Sequence, residues 1–411
     1  MKILQINNCH YRRGGADVVY LNTGALLEKM GHEVIYFSQK NKNNYETHSS
    51  KYFVDSIDFF DSSIVKKILM IPRFFYSTEA KNKLEKLILN EKPDIAHIHT
   101  YKGTLTPSIL KILKSRKIPT VISLHDYGLI CPHNSLIDGK GNPCTKCIDT
   151  GNPLNCIYNR CNRNKISLSV VNFFEYVFHS IFYPFDKSFQ LIIAVSRFSE
   201  QLHKKKKKLS NKVVHLYNFF PNIKNIMPVI RKGNYFLFYG RLSEEKGLVT
   251  LIKTWKKLPV EFKLKIAGDG PVCSFVNDFI TTNKMYNVEY VGFKQGDELN
   301  NLIKNSSFII VPSEWYENNP LTIIEAYSYG KPVIGADIGG ITELITNKKT
   351  GYLFSSRSIE DLSGKIIEAN SISGDQYNKM ALEARKFAEL NFDEETHYKH
   401  LLSFYKSVIL E

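Results

Sequence analysis

Short apolar runs that alternate with amphipathic stretches constrain the fold of this chain more than any other feature. In the first third of the sequence, the predicted strands are Ile3–Ile6, Glu33–Phe37, Ile95–Ile98 and Thr120–Leu124. The stretches between them, such as Asp17–Met30 and Pro107–Ser115, have the apolar spacing of helices. Apolar strands that alternate with helices are typical of a parallel sheet covered by helices on both faces.

The second half of the chain repeats this alternation after a polar, proline-bearing stretch at Pro221–Lys232. Its predicted strands are Tyr235–Tyr239, Lys263–Ala267, Val288–Val291, Phe308–Val311 and Pro332–Gly335. A length of 411 residues also favours two domains over one. We therefore expect an α/β protein with two Rossmann-like, doubly wound domains that face a central cleft, and ligands beyond the carboxyl ends of the strands.

The chain is basic, with a formal net charge of +15 and an isoelectric point near 9.2. This excess favours anionic partners, which include nucleic acid, an anionic membrane surface and phosphorylated substrates. No nucleic-acid-binding signature accompanies it, so we predict that nucleic acid is not a partner. The N-terminus has the pattern of a strand rather than a signal peptide, and no apolar run is long enough for a membrane-spanning helix. We expect a cytoplasmic protein.

Two carboxylates lie close together in the segment E-N-N-P-L-T-I-I-E, which runs from Glu317 to Glu325. An apolar run that ends at Val311 precedes this segment, and the residues after Pro320 have the pattern of a helix. A helix N-terminus offers free backbone N–H groups and a partial positive charge, and proline suits its first position. The layout is typical of an anion-handling site, although a glutamate on a helix is usually solvated.

Two cations follow the strand predicted at Tyr235–Tyr239. In G-R-L-S-E-E-K-G, residues 240–247, Arg241 supplies a guanidinium fork and Lys246 an ammonium point charge. Both groups suit a diphosphate, and fixed cations stabilise the charge that develops on a departing nucleoside diphosphate. A solvated basic turn is the alternative.

Glycines and histidines mark further strand ends. Gly268, in I-A-G-D-G-P, permits close approach of a ligand to the backbone, and Gly14-Gly15 can present backbone N–H groups to a phosphate. His125 follows a predicted strand and can hydrogen-bond a sugar hydroxyl or assist proton movement, unless it only caps a turn. His99 follows the preceding strand and has the same two interpretations.

These segments together resemble glycosyltransferase family four, the retaining enzymes of the GT-B fold, of the kind that builds bacterial surface polysaccharides. The likeness covers nearly the whole chain and is most specific in the C-terminal half. The segments that carry it are R-R-G-G-A, H-D-Y-G, A-V-S-R-F-S, Y-G-R-L-S-E-E-K-G, I-A-G-D-G-P, the glutamate pair and G-K-P-V-I-G-A-D-I-G-G.

The resemblance implies roles for the matched residues. Arg241 and Lys246 correspond to the pair that grips the donor diphosphate, Glu325 to the carboxylate that holds the ribose, and Glu317 to the one that faces the donor sugar. The expected catalytic residues are Glu317, Arg241, Lys246 and His125. The remaining donor-binding residues are expected to be Gly14, Gly15, Gly268, Asn319, Pro320 and Leu321.

The implied reaction moves a sugar from a UDP- or GDP-sugar to a glycan or a prenyl-diphosphate-linked oligosaccharide. It requires no cofactor, because cations of the protein replace a metal and no D-x-D motif stands in a matching place. We favour attack of the acceptor on the face from which the phosphate leaves, with a covalent bond to Glu317 as the alternative. Asn318-Asn319 replaces the glycine and aromatic residue of many relatives, which leaves the donor sugar open.

Three other functions are compatible with parts of the pattern. A nucleotide-sugar epimerase and a phosphorylase share the fold, but a phosphorylase needs a lysine for pyridoxal phosphate that the sequence does not offer. A non-enzymatic basic binding protein is the third. Simple charge binding, however, has no use for the conjunction of Arg241, Lys246, Glu317 and Glu325.

The resemblance also frames the domain organisation. We place an N-terminal acceptor-binding domain at residues 1–222, with a cysteine-rich insertion at 131–161. A C-terminal nucleotide-sugar-binding domain follows at 223–390. Residues 391–411 are predicted to form a helix that packs back towards the N-terminal domain.

Five of the seven cysteines lie within this insertion. Cys144, Cys147, Cys156 and Cys161 have a spacing that is compatible with a tetrahedral zinc site, with Cys131 as an alternative ligand. A metal would supply folding energy to a loop with little core of its own. Free buried thiols and a disulfide are the alternatives, and a disulfide is disfavoured in the cytosol.

Two segments have the composition of shallow membrane contacts. Ile166–Phe185 is rich in phenylalanine and tyrosine and has lysines nearby, among them the Lys204–Lys208 run. Ile64–Tyr76 has a similar composition. The alternatives are a core helix for Ile166–Phe185 and a solvated helix end for the lysine run. Peripheral contact with the inner face of the cell membrane is therefore a hypothesis.

Overall fold

A computed structural model describes residues 1–56, Arg73 and residues 75–410. The chain forms two compact units. The first consists of Met1–Lys140, Cys144–Leu216 and Glu395–Glu411, and the second of Gly141–Pro143 and Tyr217–Glu394. The membrane-contact segment predicted at Ile64–Tyr76 lies largely outside the described residues.

The first unit is built on a parallel sheet. Its strands are β1 (Lys2–Ile6), β2 (Glu33–Phe37), β3 (Ile95–Ile98), β4 (Thr120–Leu124), β5 (Leu191–Ala194) and β6 (Val213–His215). The six strands lie in the order β2-β1-β3-β4-β5-β6, and every neighbouring pair is parallel. β3 and β4 are buried along their whole length. Because both faces of these strands are covered, their sequences are mostly apolar, and their polar residues His97, Thr120 and Ser123 are buried as well.

Helices flank this sheet. They are Gly15–Lys29, Thr78–Glu91, Ser108–Ser115, Lys146–Asp149, Asn155–Tyr158, Ile166–Phe182, Phe185–Ser188, Arg197–Lys204 and the C-terminal Glu394–Ile409. Leu401 and Tyr405 of the C-terminal helix pack into one buried cluster with Ile3 and Ile95 of the sheet. The Tyr405 hydroxyl also lies 2.6 Å from His97 Nδ1, so the end of the chain is an integral layer of the first unit.

The second unit contains the second parallel sheet. Its strands are β7 (Phe236–Tyr239), β8 (Leu264–Ala267), β9 (Val288–Gly292), β10 (Ile309–Val311), β11 (Val333–Ala336) and β12 (Gly351–Phe354). Their order is β12-β11-β10-β7-β8-β9. The chain therefore winds outward from β7 in one direction and then, from β10, in the other. The loops after β7 and β10 diverge at this reversal, which is where doubly wound sheets bind ligands.

The helices of the second unit enclose a single large core. They are Leu248–Trp255, Cys273–Thr282, Gly296–Asn305, Leu321–Ser328, Gly340–Leu344, Ile359–Ser371 and Gly374–Asn391. Trp255, Phe308, Tyr327 and Tyr377 are among the largest side chains buried in that core. This packing fixes the strand ends from which the candidate site is built.

The prediction of two α/β domains with parallel sheets is confirmed. The chain passes from the first unit to the second after Leu216, and Phe220 donates its backbone N–H to the Phe392 carbonyl of the second unit at 2.9 Å. Strand β12 was not predicted. Its sequence, G-Y-L-F, is apolar but only four residues long, and parallel pairing with β11 makes it a strand.

Candidate active site

The site in the second unit is centred on an ion pair between Lys246 and Glu317. Lys246 ends a 3-10 turn, Glu244–Lys246, after β7, and Glu317 lies in the loop after β10. β7 and β10 are neighbours in the sheet, with Leu237 opposite Ile309. The Lys246 ammonium group is 2.6 Å from Glu317 Oε1. Two loops that are far apart in sequence thus place opposite charges in contact at the point where the winding reverses.

Glu317 is a buried carboxylate held by several donors. Its residue is 6% exposed, and the Ser313 hydroxyl donates a 2.8 Å hydrogen bond to the Oε1 atom that Lys246 contacts. Burial alone would raise the pKa of Glu317, but the charge of Lys246 and the hydrogen bonds from Lys246 and Ser313 outweigh it. The pKa of Glu317 therefore lies below its ordinary value, and the side chain is anionic at neutral pH.

The two predicted diphosphate cations differ in their surroundings. The Lys246 ammonium group pairs with Glu317 and lies over the Trp315 ring, 5.5 Å from its centroid. The Arg241 side chain is exposed, and in the described part of the chain it has no hydrogen-bond or ion-pair partner. Arg241 is thus available to a ligand at once, whereas Lys246 must share its charge with Glu317.

A pair of glycines that the sequence analysis quoted, but gave no role, supports the backbone of Glu317. Gly340 donates its N–H to the Glu317 carbonyl at 2.7 Å. A Cβ on Gly340 would lie 1.7 Å from the Asn318 carbonyl oxygen, and one on Gly339 would lie 2.7 Å from the Glu317 carbonyl oxygen. Only glycine permits this approach. The sequence analysis did not identify Ser313 and Trp315 as site residues, because no sequence pattern marks them. The Gly339-Gly340 dipeptide, in contrast, follows a predicted strand and could have been identified.

Asn319 connects the site to the start of the second unit. Its Oδ1 accepts a 2.9 Å hydrogen bond from the Asn218 backbone N–H. The residue is 6% exposed, and its Nδ2 donor has no partner among the described residues. Pro320 is the N-cap of the Leu321–Ser328 helix rather than its first residue, and Leu321 is the first helical residue. The helix N-terminus therefore begins directly beside an unused buried donor.

Glu325 is half-buried on the same helix and contacts a different part of the unit. It interacts with Tyr239 at the end of β7, where burial and then the Glu325 charge raise the pKa of the phenol well above its ordinary value. The Tyr239 hydroxyl also donates to the Thr322 carbonyl at 3.0 Å. Glu325 is thus attached to β7, while Glu317 is attached to Lys246.

The glycine predicted at the exit of β8 has a structural partner. Gly268 has a φ of +144°, and a Cβ there would lie 1.9 Å from the Gly240 carbonyl oxygen. Gly268 therefore permits close packing against the turn that carries Arg241.

The first unit contains a separate cluster of histidines at the ends of β3 and β4. His125 Nε2 lies 2.9 Å from His99 Nδ1, and the two rings are nearly parallel, with centroids 5.1 Å apart. His99 Nε2 lies 3.0 Å from Gln5 Oε1 on β1. Burial lowers the pKa of His125 to about 4 and the pKa of His99 well below its ordinary value. Both imidazoles are therefore neutral at neutral pH.

This chain of contacts selects one tautomer of His125. Gln5 Oε1 can only accept, so His99 Nε2 carries the proton and His99 Nδ1 accepts. His125 Nε2–H then donates to His99. The lone pair of a neutral His125 remains on Nδ1, where it can accept a hydrogen bond from a hydroxyl.

The helix that the sequence predicted from Asp17 begins two residues earlier, at Gly15. Gly14 is the N-cap in an extended conformation, and its N–H donates to Asp17 Oδ2 at 3.1 Å. The other oxygen of Asp17 accepts a 2.7 Å hydrogen bond from Asn7 Nδ2. The Gly14 N–H is therefore engaged by a carboxylate in this structure, so a phosphate would have to displace Asp17 to use it.

The cysteines of the insertion are near one another. All are free thiols, and Cys131, Cys156 and Cys161 are buried. A hydrogen bond between the Cys156 and Cys161 side chains raises the pKa of Cys156 and lowers that of Cys161. The described residues contain no group of three or more histidine, cysteine or acidic side chains disposed to hold a metal ion. The structural zinc stays a prediction.

The chain matches two family models. Residues 13–221 match the model described as Glycosyltransferase Family 4, which covers more than half of the 411 residues. Residues 219–387 match the model described as Glycosyl transferases group 1. The two matches meet near the division between the compact units.

Individual relatives are more distant. An uncharacterized glycosyltransferase of Methanocaldococcus jannaschii is 30% identical over 178 residues, which is 43% of this chain and 48% of that protein. The amylovoran biosynthesis glycosyltransferase AmsK of Erwinia amylovora is 26% identical over 174 residues, which is 40% of this chain and 42% of that protein. The chain thus spans less than half the length of these curated relatives.

Solved structures match over the whole chain. The Anabaena protein HepE, in complex with UDP and glucose, superposes with a TM-score of 0.70 at 17% identity, covering 99% of this chain and all of that one. A glycosyltransferase from Rickettsia africae superposes with a TM-score of 0.68 at 19% identity, covering 99% of this chain and 98% of that one. At this identity the likeness establishes the fold, which is GT-B.

Proposed function

This chain belongs to glycosyltransferase family 4, and we propose that it transfers a hexose from a UDP- or GDP-sugar to a glycan or prenyl-diphosphate-linked oligosaccharide, with retention of anomeric configuration. One observation carries the proposal. A buried, anionic Glu317 lies in contact with Lys246 at the winding reversal of the second sheet. The Glu317 carboxylate and the Lys246 ammonium group, together with the exposed Arg241, suit a ligand that combines a diphosphate with a sugar.

In the proposed reaction, the bond between the anomeric carbon and the phosphate oxygen breaks as the acceptor oxygen bonds to the same face of that carbon. The acceptor proton passes to the departing phosphate oxygen. Arg241 and Lys246 stabilise the charge that develops on this leaving group. Glu317 accepts hydrogen bonds from the donor sugar, and Glu325 accepts them from the ribose. No metal cofactor is needed for these steps.

Three further residues complete the proposed donor and acceptor sites. The unused Nδ2 of Asn319, at the start of the Leu321–Ser328 helix, donates to the phosphate or the sugar. His125 Nδ1 accepts from a substrate hydroxyl. Gly14 and Gly15 approach a phosphate once Asp17 has moved.

The biological setting is proposed from the relatives. AmsK is an amylovoran biosynthesis glycosyltransferase, and HepE binds UDP and glucose. A surface polysaccharide is therefore the proposed product class. A peripheral position at the inner face of the cell membrane belongs to the same proposal.

A structural zinc is a separate proposal for the insertion. Cys144, Cys147, Cys156 and Cys161, with Cys131 as an alternative, supply thiolates for a tetrahedral site. The neighbouring thiols and the four-residue helices of the loop support it. Elemental analysis of the purified protein should give about one zinc per chain; less than about half would contradict the proposal.

A thermal-shift screen with UDP-, GDP-, ADP- and CMP-sugars tests the donor assignment. A donor that binds the native state stabilises it by mass action, so a UDP- or GDP-sugar should raise Tm. Arg241→Ala should weaken this shift, while Arg116→Ala, which changes an exposed arginine of the first unit that pairs with Glu85, should not. A screen in which no nucleotide sugar raises the wild-type Tm would contradict the proposed function.

A further inference from the structure

One helix of the first unit has its polar side inward and its apolar side outward. Along Ile166–Phe182, the buried residues are Ser169, Glu175, Tyr176 and His179. The exposed apolar residues are Ile166 (51% exposed), Val171 (41%), Phe174 (57%), Ile181 (64%) and Phe182 (65%), and Ser167 is the one exposed polar residue of the helix. A surface helix of a globular protein normally has the opposite arrangement.

The inward face is held in place by polar contacts. The Tyr176 hydroxyl donates to the Leu129 carbonyl at 3.3 Å and accepts from Lys206 Nζ at 3.1 Å. The Ser169 hydroxyl accepts from the Asn162 backbone N–H at 3.1 Å. The orientation of the helix is therefore fixed by its own hydrogen bonds, and a rotation that hid the apolar side would break them.

The outward face follows one side of the helix. Its exposed apolar side chains are one to seven residues apart, and Phe178 joins them through contacts with Phe182 and Phe75. Exposed apolar surfaces of this kind mark sites where a protein meets another apolar surface. In the described residues no helix is long and apolar enough to cross a bilayer, so the face would lie along a membrane rather than through it.

The charged residues around this face indicate which kind of surface it contacts. Between Thr150 and Phe185 the only acidic residue is Glu175, which is buried. The basic residues of the same stretch, Arg160, Arg163 and Lys165, are exposed. Lys187 follows the helix, and Lys206 attaches the lysine run to its inner side. Two acidic residues border this stretch: Asp149, which pairs with Lys205 at 3.1 Å, and the half-buried Asp186. Cations therefore outnumber exposed anions around the apolar side chains, which matches a layer of anionic headgroups over acyl chains.

We propose that the outward face of the Ile166–Phe182 helix docks on an anionic lipid surface. Phe174, Ile181 and Phe182 enter the boundary between headgroups and acyl chains, while the flanking lysines and arginines contact lipid phosphates. The proposal does not depend on the glycosyl transfer reaction, since docking is measured without donor or acceptor.

The test is co-sedimentation of the full chain with vesicles of phosphatidylglycerol and phosphatidylcholine, compared with phosphatidylcholine alone. The wild type should bind the anionic vesicles more tightly, and added salt should weaken this binding. Phe174→Glu/Phe182→Glu should reduce the partition coefficient by about 100-fold, because both side chains leave the apolar boundary. The matched control, Tyr286→Glu/Phe293→Glu, changes residues that are 90% and 64% exposed in the second unit, and it should bind as the wild type does.

Phe174→Ser/Phe182→Ser separates loss of apolar contact from charge repulsion and replaces the glutamate variant if that variant fails to fold. It should also lose binding, with an unfolding transition like that of the wild type. Wild-type protein that does not bind anionic vesicles, or a folded serine variant that binds them fully, would overturn the proposal. A wild-type dimer in sedimentation that becomes a monomer in the serine variant, without vesicle binding, would assign the face to a second copy of the chain instead.

Discussion

The two units place different chemistry at the ends of their strands. In the second unit, Lys246 and Glu317 are both charged and in contact. In the first, His99 and His125 are neutral and hydrogen-bonded to each other. All 12 histidines of the chain lie in the first unit, and the second has none. One unit therefore offers fixed charge, which suits a diphosphate, and the other offers neutral donors and acceptors, which suit hydroxyl groups.

The largest predicted difference between the two units is in their loss of stability at acidic pH. Burial lowers the pKa of nine histidines of the first unit, which are His10, His32, His97, His99, His125, His133, His179, His203 and His215. Below their ordinary pKa the unfolded chain binds protons that the folded unit excludes, so stability falls as pH decreases from about 6.5 towards about 4. Each fully excluded proton removes about 1 kcal/mol between about pH 7.5 and about pH 5.5.

Three carboxyls of the first unit act in the opposite sense. Burial raises the pKa of Asp17, Asp126 and Glu175, but the histidines outnumber them. Glu317 has a lowered pKa, so its contribution to the second unit is lost only below its ordinary value of 4.5. Hydrogen exchange at peptide resolution, corrected for intrinsic rates, should show opening of first-unit peptides at about pH 5.5 and little change in the second unit. Equal opening of both units would contradict the contrast.

A double-mutant cycle measures the coupling of the charged pair. Lys246→Met leaves the buried Glu317 carboxylate without its cation and should reduce the free energy of unfolding by about 2 kcal/mol. Glu317→Gln added to it should restore a large part of that loss, which gives a coupling energy of about 1 kcal/mol or more. Denaturant unfolding of the four proteins provides the values.

The exposed pair Lys349–Glu383, at 3.1 Å in the same unit, is the matched control. Its coupling should stay below about 0.5 kcal/mol, because both side chains are solvated. Equal coupling energies for the two pairs would show that burial of Glu317 does not strengthen its interaction with Lys246.

His99 should matter to turnover because it orients His125. His99→Ala removes the acceptor of the His125 Nε2 proton, so we expect kcat to fall by about tenfold with a smaller change in the KM of the donor. The acidic limb of the pH–rate profile should move to higher pH, since burial lowers the pKa of His125 to about 4 and the smaller alanine side chain reduces that burial. His99→Gln, which keeps an acceptor, should recover part of the rate.

His203→Ala is the control for this prediction, because His203 is a buried histidine of the same unit whose Nδ1 lies 2.8 Å from the Ser199 carbonyl. A loss of packing alone would affect both variants through stability and leave the pH profile in place. An unchanged profile in His99→Ala would show that His99 does not act through His125.

The sequence was sufficient for elements whose pattern is local. Glu33–Phe37, Ile95–Ile98 and Thr120–Leu124 were predicted with both ends correct, because each is an apolar run bounded by polar or turn residues. β12 was missed because Gly351–Phe354 becomes a strand through its pairing with β11. The contact between His99 and His125 was within reach, since both residues follow strands that a parallel sheet makes neighbours.

The sequence predicted the members of the charged site but not their contacts. Lys246 and Glu317 are 71 residues apart, and their meeting depends on β7 lying next to β10. The role of Gly340 likewise depends on the distance to the Asn318 carbonyl oxygen, which no local pattern contains. The resemblance implied that Lys246 and Arg241 together grip the donor diphosphate, whereas in the structure the Lys246 ammonium group also pairs with Glu317.

The central claim is that the Lys246–Glu317 site transfers a sugar from a nucleotide-activated donor. Its most direct test is release of nucleoside diphosphate from UDP- and GDP-sugars, with acceptor present, by the wild type, Lys246→Ala and the surface control Lys349→Ala. We expect turnover by the wild type and by the control, and a loss of about 100-fold or more in Lys246→Ala, because a fixed charge near the leaving group is removed. Full turnover by a folded Lys246→Ala protein would contradict the account.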